Sequence, residues 1–564
     1  MLFLLLTTRV LTRLERRILT MERNQMIAIA VILIICIGGA GVYFVMFPPG
    51  PGVPTIVVGT TDSVESSLDM AQAYDYFGWE MIISLSSGLV QIQPGSQAGA
   101  SDIKPALATS WNSSTDKMIW DFTLRHNVNF TDGREFNATD VKYTFDRNCN
   151  LTGVGLFELD GPQLNMEYDS VIQNVTIMSE FVVRFYLKIP FAPFLQLMSC
   201  AASYMVDRAV APMNELVGYN TTAQTPCALG PYLLKEWVRI GGSDDHITLV
   251  KNPDYWDKAS GYPKTDRIII KMYSSDTALA TAMTSGEVDI AYRQLTADQV
   301  AAFKTNAKRK VWEGVGAQIQ YLCFQQNIYP FNETAIRQGI TAAINRTHVC
   351  ESVFKGTFDP LYSMIPMGMA YHKDTFNMWG DANYTATQDL LAPYGYNTNN
   401  KLVVDLYYES SGHYPQSQQQ ALVYQQDLQD SGVITVNLHG LDWPSYRTAR
   451  NNGEMPVFIY GWYPDFIDPD NYEFLPFASW LNLGYNSTYP AGGVAQYDLW
   501  MAGRSGTNDT ARQTAYYALQ DLQAEECSVV PLWQSNTVAI SKLNVKGIVL
   551  DITVNFRLWL IYLE

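Results

Sequence analysis

The chain has 564 residues, 47% of them hydrophobic and 16% charged, with a formal net charge of −17. That length exceeds what one hydrophobic core supports and the composition is that of a folded protein, so a disordered chain is excluded and two or more structural units are expected. The acidic balance, with no Lys/Arg stripe after the first 25 residues, excludes nucleic acid as a partner, because phosphate binding needs a basic face.

Residues 1–25 carry five arginines and two glutamates, a net +3, which leaves the remainder at −20. Met26 to Phe47, MIAIAVILIICIGGAGVYFVMF, is an uncharged apolar run of 22 residues, the length of a helix that spans a bilayer. Arg9, Arg13, Arg16, Arg17 and Arg23 precede it, so the positive-inside rule predicts a cytoplasmic N-terminus and an external remainder. A cleaved signal peptide is the competing reading, but the run is longer than such segments and no A-x-A site ends it. Bulky Ile35 before Cys36 argues against lipidation. PPGPGVP, Pro48 to Pro54, is a short stiff spacer.

Eleven N-x-S/T sequons come after it, at Asn112, Asn129, Asn137, Asn150, Asn174, Asn220, Asn332, Asn345, Asn383, Asn486 and Asn508, an excess that suits a glycosylated exterior. Cys149, Cys200, Cys227, Cys323, Cys350 and Cys527 show no C-x-x-C spacing and give no zinc or redox signal. In an oxidising exterior they could form up to three disulfides, with buried thiols as the alternative.

Beyond the spacer the pattern is mixed α and β. TIVVGT (55–60), MIWDFTLR (118–125), FVVRFYLK (181–188), HITLVKN (246–252) and DRIIIKMY (266–273) have strand character and are bounded by Gly, Pro, Asn or Asp. In TAIRQGITAAINRTHVCESVF the recurrence of Ile336, Ile340 and Ile344 predicts a core-facing helix. Residues 401–462 read as strand KLVVDLYY, a helix over QSQQQALVYQQDLQD ended by Gly432, strand VITVNLH, a short helix near WPSYRTAR and strand MPVFIYGW. Such a β-α-β-α-β unit forms a parallel sheet with ligands at the carboxyl ends of its strands, where Trp462, Tyr463 and Asp465 fall.

A set of motifs in fixed order gives the chain a family resemblance. KPALATSWNSSTDKMIWDFTLRHNVNFTDGREFNATDVKYTFDR (104–147) is followed by GPYLLKEW (230–237), KNPDYW (251–256) and SGEVDIA (285–291). AIRQGITAAINR (335–346), FKGTFDPLYSMIP (354–366) and GWYPDFIDPDN (461–471) complete the set. Together they resemble the peptide/nickel family of solute-binding proteins of ABC transporters, which includes dipeptide and oligopeptide binders, over nearly everything after residue 55. The resemblance implies an α/β, two-lobed periplasmic-binding-protein-like fold with a hinge. Residues 55–90, 225–315 and 525–564 would form lobe I, 91–224 a domain inserted in it, and 316–524 lobe II, after a cytoplasmic stretch (1–25), the anchor (26–47) and the linker (48–54). ALGPY, Ala228 to Tyr232, departs from the GTGPY of relatives.

The resemblance also implies a site. In peptide-binding relatives the aspartate three residues after the W of the GW motif receives the peptide's α-ammonium, and that position is Asp465. Trp462 and Tyr463 are expected either to stack on the ligand or to pack under the loop. Asp468 and Asp470, in D-P-D-N, read as structural, since a turn-forming run of this kind hydrogen-bonds its own carboxylates. Pro469 and the missing glycine break a calcium-loop pattern. Dipeptide binders carry a carboxylate-clamping arginine after the KLVV-type strand, but ESSGHYPQ (409–416) has none, which favours longer peptides or a ligand without a carboxylate. Oligosaccharides remain the alternative within the same broad family. No cofactor, metal or catalytic residue is expected, and the ABC permease and ATPase would be separate chains, because no nucleotide-binding motif is present. Carboxylates at 465 and 468 leave a hydrolase, and the surface leaves a structural role, as remote alternatives.

Overall fold

The computed structural model describes residues 53–65, 67–95, 102–152, 170–222, 224–293, 295–484 and 491–564. The expected anchor at 26–47 and most of the spacer lie outside these residues. Among the described residues no helix is long and apolar enough to cross a membrane.

The architecture is the mixed α/β, two-lobed fold of periplasmic binding proteins. Strand β1 (Thr55–Thr60) is followed by a short antiparallel pair, β2 (Val90–Ile92) and β3 (Ile103–Pro105). β4 (Ala108–Ser113), β5 (Ile119–Leu124), β6 (Ile172–Ser179) and β7 (Val182–Leu187) make a separate antiparallel sheet in the order β4-β5-β7-β6. Alternation drives it. Trp120, Phe122 and Leu124 on β5 and Val183, Phe185 and Leu187 on β7 point into a core closed by the helix Ala138–Thr152.

β1 and ten further strands form one 11-stranded sheet, and Val545–Lys546 pairs separately with Tyr562–Leu563. β8 (Tyr232–Ile240) and β9 (Ser243–Lys251) form a hairpin turned by Gly241 and Gly242, whose φ values of 61° and 90° need glycine. β10 (Arg267–Met272), β11 (Ile290–Tyr292), the long β12 (Arg309–Phe324) and β13 (Phe358–Pro360) come next in the chain. β14 (Leu402–Glu409), β15 (Ile434–Leu441) and β16 (Val457–Trp462) succeed them, and β17 (Val529–Lys542) closes the set. The order is β15-β14-β16-β12-β17-β11-β1-β10-β9-β8, with β13 attached to β17. β12 and β17 run antiparallel from Arg309↔Lys542 to Cys323↔Val529, and their register breaks between Val315 and Ile319.

The predicted β-α-β-α-β unit is present: β14 pairs in parallel with both β15 and β16, and the helices Ser417–Asp430 and Trp443–Asn451 are the crossovers. The order β15-β14-β16 puts the two crossovers on opposite sides of β14, and the carboxyl ends of β14 and β16 lie side by side, the place where parallel folds of this kind take their ligands. Two expectations need correction. The isoleucine stripe at 336, 340 and 344 does not lie on a single helix: Ile344 is extended (φ −65°, ψ 138°), Asn345 caps a new helix at His348 N, and the segment splits into Thr334–Ala343 and Arg346–Ser352. Nor is any of the six described cysteines in a disulfide. Cys323 packs in a different buried cluster from Cys350 and Cys527, and burial pushes the Cys227 and Cys527 thiols up to about 12.

Most buried arginines of the described residues are paired with a carboxylate. Arg147 and Asp69 are both fully buried, with Nη1–Oδ1 at 2.8 Å and Nη2–Oδ2 at 2.6 Å, and Arg147 also donates to the Pro212 and Glu215 carbonyls. This pair ties the segment after β1 to the helix Ala138–Thr152. Replacing Asp69 by Asn leaves a buried guanidinium without its counter-charge, and urea unfolding is expected to show a loss of about 3–5 kcal/mol.

Glu473 is also fully buried, and burial raises its carboxyl to about 8, with only the Gln523 amide donating to it at 2.6 Å. The folded protein therefore holds this proton where the unfolded chain releases it, above about 4.5. Its contribution to stability is complete below that pH and declines as pH rises toward 8, by about 2–4 kcal/mol between pH 5 and 8. Glu473→Gln is expected to flatten this part of the stability–pH curve. An unchanged slope would show that Glu473 is ionised in the fold.

Candidate functional site

The β16 strand ends at Trp462, and the next residues form a loop held from below. Asp468 pairs with Arg512 at 2.6 Å and accepts the Asp470 N–H at 3.0 Å. Asp470 accepts the Trp500 indole N–H at 2.8 Å and faces Arg504 at 3.3 Å. Both carboxylates are 2% exposed, so they brace the loop against the helices Ala491–Ser505 and Asp509–Glu526. Asp468 thus belongs to the support of the loop.

Asn471 finishes the loop. Its side-chain oxygen accepts the Asp465 N–H at 2.8 Å and the Trp462 indole N–H at 3.2 Å, and its amide donates to Asp465 Oδ2 at 3.1 Å. Trp462 is buried, stacked on Trp480 at 5.7 Å and edge-on to Phe474 at 5.3 Å. It packs under the loop. Tyr463 is half-buried with its ring 4.7 Å from that of Tyr76, and burial raises its hydroxyl to about 12.

The loop meets a segment from the beginning of the fold. Tyr74 donates its hydroxyl to Asp465 Oδ1 at 2.9 Å, and Tyr76 donates to the Pro464 carbonyl at 2.7 Å. Burial, and then the Asp465 carboxylate, push the Tyr74 hydroxyl well above its usual range, so it stays protonated and donating. Asp75 between them caps the helix Tyr76–Leu85 at Gly78 N. Arg293 lies 5.8 Å from the Tyr76 ring and pairs with Asp62 at 2.9 Å and Glu80 at 3.2 Å. Tyr74 and Tyr76 are nearly 400 residues before the loop in sequence, and the only local signal for them is an aromatic-acidic YDY ahead of an apolar run.

The stretch 409–416, which lacks an arginine, is organised around Glu409. This buried carboxylate accepts the N–H groups of Gly412 at 3.1 Å, His413 at 2.8 Å and Tyr414 at 3.4 Å, together with the N–H and hydroxyl of Ser411. The loop so formed stacks His413 on Trp443 at 3.6 Å and lays Tyr414 against Gly461. A side chain at 461 would come within 2.7 Å of the Tyr414 ring, so glycine is required there by close approach. Aromatic groups from β16, the loops and the helix Trp443–Asn451 therefore pack as one cluster of Tyr414, Trp443, Tyr460 and Trp480, with Tyr414 and Tyr460 buried in it. Among the described residues no group of three His, Cys, Asp or Glu is arranged to hold a metal ion.

Comparison with known proteins agrees with this architecture. The family model for bacterial extracellular solute-binding proteins, family 5 Middle, matches residues 102–479. The chain is 26% identical over 505 residues to the probable D,D-dipeptide-binding periplasmic protein DdpA of Escherichia coli strain K12, covering 88% of this chain and 91% of that one. It is 26% identical over 390 residues to the di/tripeptide-binding protein 2 of Pseudomonas aeruginosa, covering 66% and 70%. The structure of NikA from Brucella suis in complex with Fe(III)-EDTA superposes with a TM-score of 0.77 at 19% identity, over 91% of this chain and all of that one. DppA from Helicobacter pylori in complex with the peptide STSA gives 0.72 at 22% identity, over 90% and 98%. With the family model spanning most of the chain, and with these lobes and this strand order, the protein belongs to family 5 of the bacterial extracellular solute-binding proteins, the peptide/nickel family that serves ABC importers.

Proposed function

We propose that the protein is a membrane-anchored extracellular receptor that captures peptides, oligopeptides in the first place, and presents them to the permease and ATPase of an ABC importer. The observation that carries the reading is the setting of Asp465, a half-buried carboxylate at the carboxyl edge of β16. Tyr74 and Asn471 orient it, and neither donor carries charge. An α-ammonium placed against it makes a charge-assisted hydrogen bond. Tyr463 lies beside it as a contact surface, and Trp462 holds the loop. Relatives named for dipeptides, tripeptides and glutathione support a peptide ligand. The loop built on Glu409 offers no arginine to clamp a short peptide, which supports a longer one.

Contacts such as Tyr74 to Asp465 and Tyr76 to Pro464 join the two sides of the cleft, and the break in β12 between Val315 and Ile319 is the natural hinge between them. Asp465→Asn keeps the shape and removes the charge. Calorimetry with a free-amine peptide is expected to show a loss of about 1.5–3 kcal/mol, with a smaller radius of gyration in scattering when the parent is saturated. The N-acetylated peptide is expected to bind weakly and to ignore the substitution. Equal peptide binding by parent and variant, with tight binding of neutral oligosaccharides, would replace the peptide with a sugar.

The arginine-flanked apolar run at 26–47 supports the anchor, and the sequons support a glycosylated exterior: none of the ten described sequon asparagines is buried. Protease added to intact cells is expected to remove the binding domain. Full protection together with absence of glycan on all eleven asparagines would place the domain inside.

A further inference from the structure

The outer face of the sheet at β8, β9 and β10 carries charge that the peptide site does not use. Arg267, Ile269 and Lys271 alternate on one side of β10, while Ile268 and Ile270 on the other side are buried in a core with Ile247 and Leu249 of β9. The register sets His246 opposite Lys271 and Thr248 opposite Ile269, so these side chains share the outer face. β8 adds two more. Its register slips between Leu234 and Glu236, Glu236 pairs with Thr248, and Lys235 is the extra residue of a bulge. A bulge re-aims side chains, and here Lys235 and Glu236 both line one pocket with the outer-face residues of β9 and β10. Its volume is about 410 Å³.

The charges around this pocket are unevenly matched. Lys271 pairs with Glu287 at 3.1 Å. Glu236, the one carboxylate of the lining, is turned to β9: its Oε2 accepts the Thr248 hydroxyl at 3.4 Å and lies 3.5 Å from His246 Nε2, while His246 Nδ1 lies 2.7 Å from Asp245. Arg267 and Lys235 are left over. Among the described residues neither has a carboxylate within ion-pair distance, and Arg267 Nε is buried with no hydrogen-bond partner. Protection of a sheet edge accounts for Lys235, since β8 is the outermost strand, but not for Arg267 and Lys271, which lie two strands in. Three cations therefore meet at one pocket of a chain whose net charge is −17, and a buried guanidinium N–H there lacks an acceptor.

We infer that this pocket is a second binding site, which takes a phosphate group between Arg267 and Lys235 with Lys271 at its margin. A guanidinium matches the oxygens of a phosphate as a fork, and an ammonium adds a point charge. Ile269 supplies an apolar surface beside the anion for the organic part of a phosphate ester. The site is separate from the one at Asp465: four strands of the sheet lie between β10 and β16, which sets them roughly 24 Å apart at the usual strand spacing. It therefore stands independently of the peptide reading. A phosphate reaches it either as a dissolved anion or on a lipid headgroup, with the same recognition chemistry in both cases.

The experiment uses the full chain and its variants Arg267→Gln and Lys235→Gln, in about 0.15 M salt so that loose surface attraction is screened. Calorimetry is run with three probes: inorganic phosphate; glycerophosphoglycerol, the soluble headgroup of an anionic lipid; and glycerophosphocholine, whose own cation cancels its charge. The parent is expected to bind at least one of the first two more tightly than the third, and each variant to lose that affinity roughly ten- to hundredfold. Tighter binding of inorganic phosphate identifies the dissolved anion as the source, and tighter binding of glycerophosphoglycerol identifies the lipid. Binding of none of the probes by the parent, equal affinity in parent and variants, or a preference for glycerophosphocholine overturns the inference. Should Arg267→Gln fail to fold, Lys235→Gln decides by itself, since that side chain is exposed: retained phosphate affinity overturns the inference and its loss supports it.

Discussion

Backbone pairing between β12 and β17 runs unbroken in direction from Arg309↔Lys542 to Cys323↔Val529, and the other strands of the large sheet are placed by the end of this pair they join. β16, β14 and β15 extend from one side of it, and β11, β1, β10, β9 and β8 from the other. The pair is therefore both the spine of the fold and the connection between lobes. Its register slips where it crosses, between Val315 and Ile319, and the freed Gly316 carbonyl accepts the Gln534 amide at 2.6 Å. Gly316 leaves room at this crossing that a side chain would take from the Ser535 carbonyl, 2.8 Å from where a Cβ would stand. A bulge satisfied by side chains bends the strand without leaving backbone groups unpaired.

The binding loop after β16 obeys the same economy of polar groups. Asp468, Asp470 and Asn471 are buried and hold the loop to Arg512, Trp500 and Trp462, while Asp465 stays at its half-buried edge. The D-P-D-N run thus makes a frame for one half-buried carboxylate. On the facing side, Glu409 does the corresponding work with backbone N–H groups, shaping a loop that presents aromatic rings instead of a cation.

What was legible in the sequence was local. Period-two alternation marked β1, β5, β7, β9 and β10 because each strand has one face in a core, and the alternation of strands and helices over 401–462 marked the parallel unit because a crossover helix must span it. The turn-forming D-P-D-N pointed to structural aspartates, although their partners, two arginines more than thirty residues away, could not be named from it. Where the local signal ran through a break it misled: isoleucines at 336, 340 and 344 keep the helical spacing, yet Ile344 is extended because Asn345 offers its side chain to cap the next helix.

The sequence by itself determined the class of the protein, an acidic α/β chain with a parallel unit ending in Trp462, Tyr463 and Asp465, since periodicity and motif order depend on residues that are near one another. Only the tertiary structure decided what each site residue does. It set Tyr74 against Asp465 across 391 residues, turned Trp462 inward onto Trp480 and kept six cysteines out of disulfides. Pairing and burial are properties of distance in space, and no pattern along the chain encodes a distance between segments that meet only when both lobes are built.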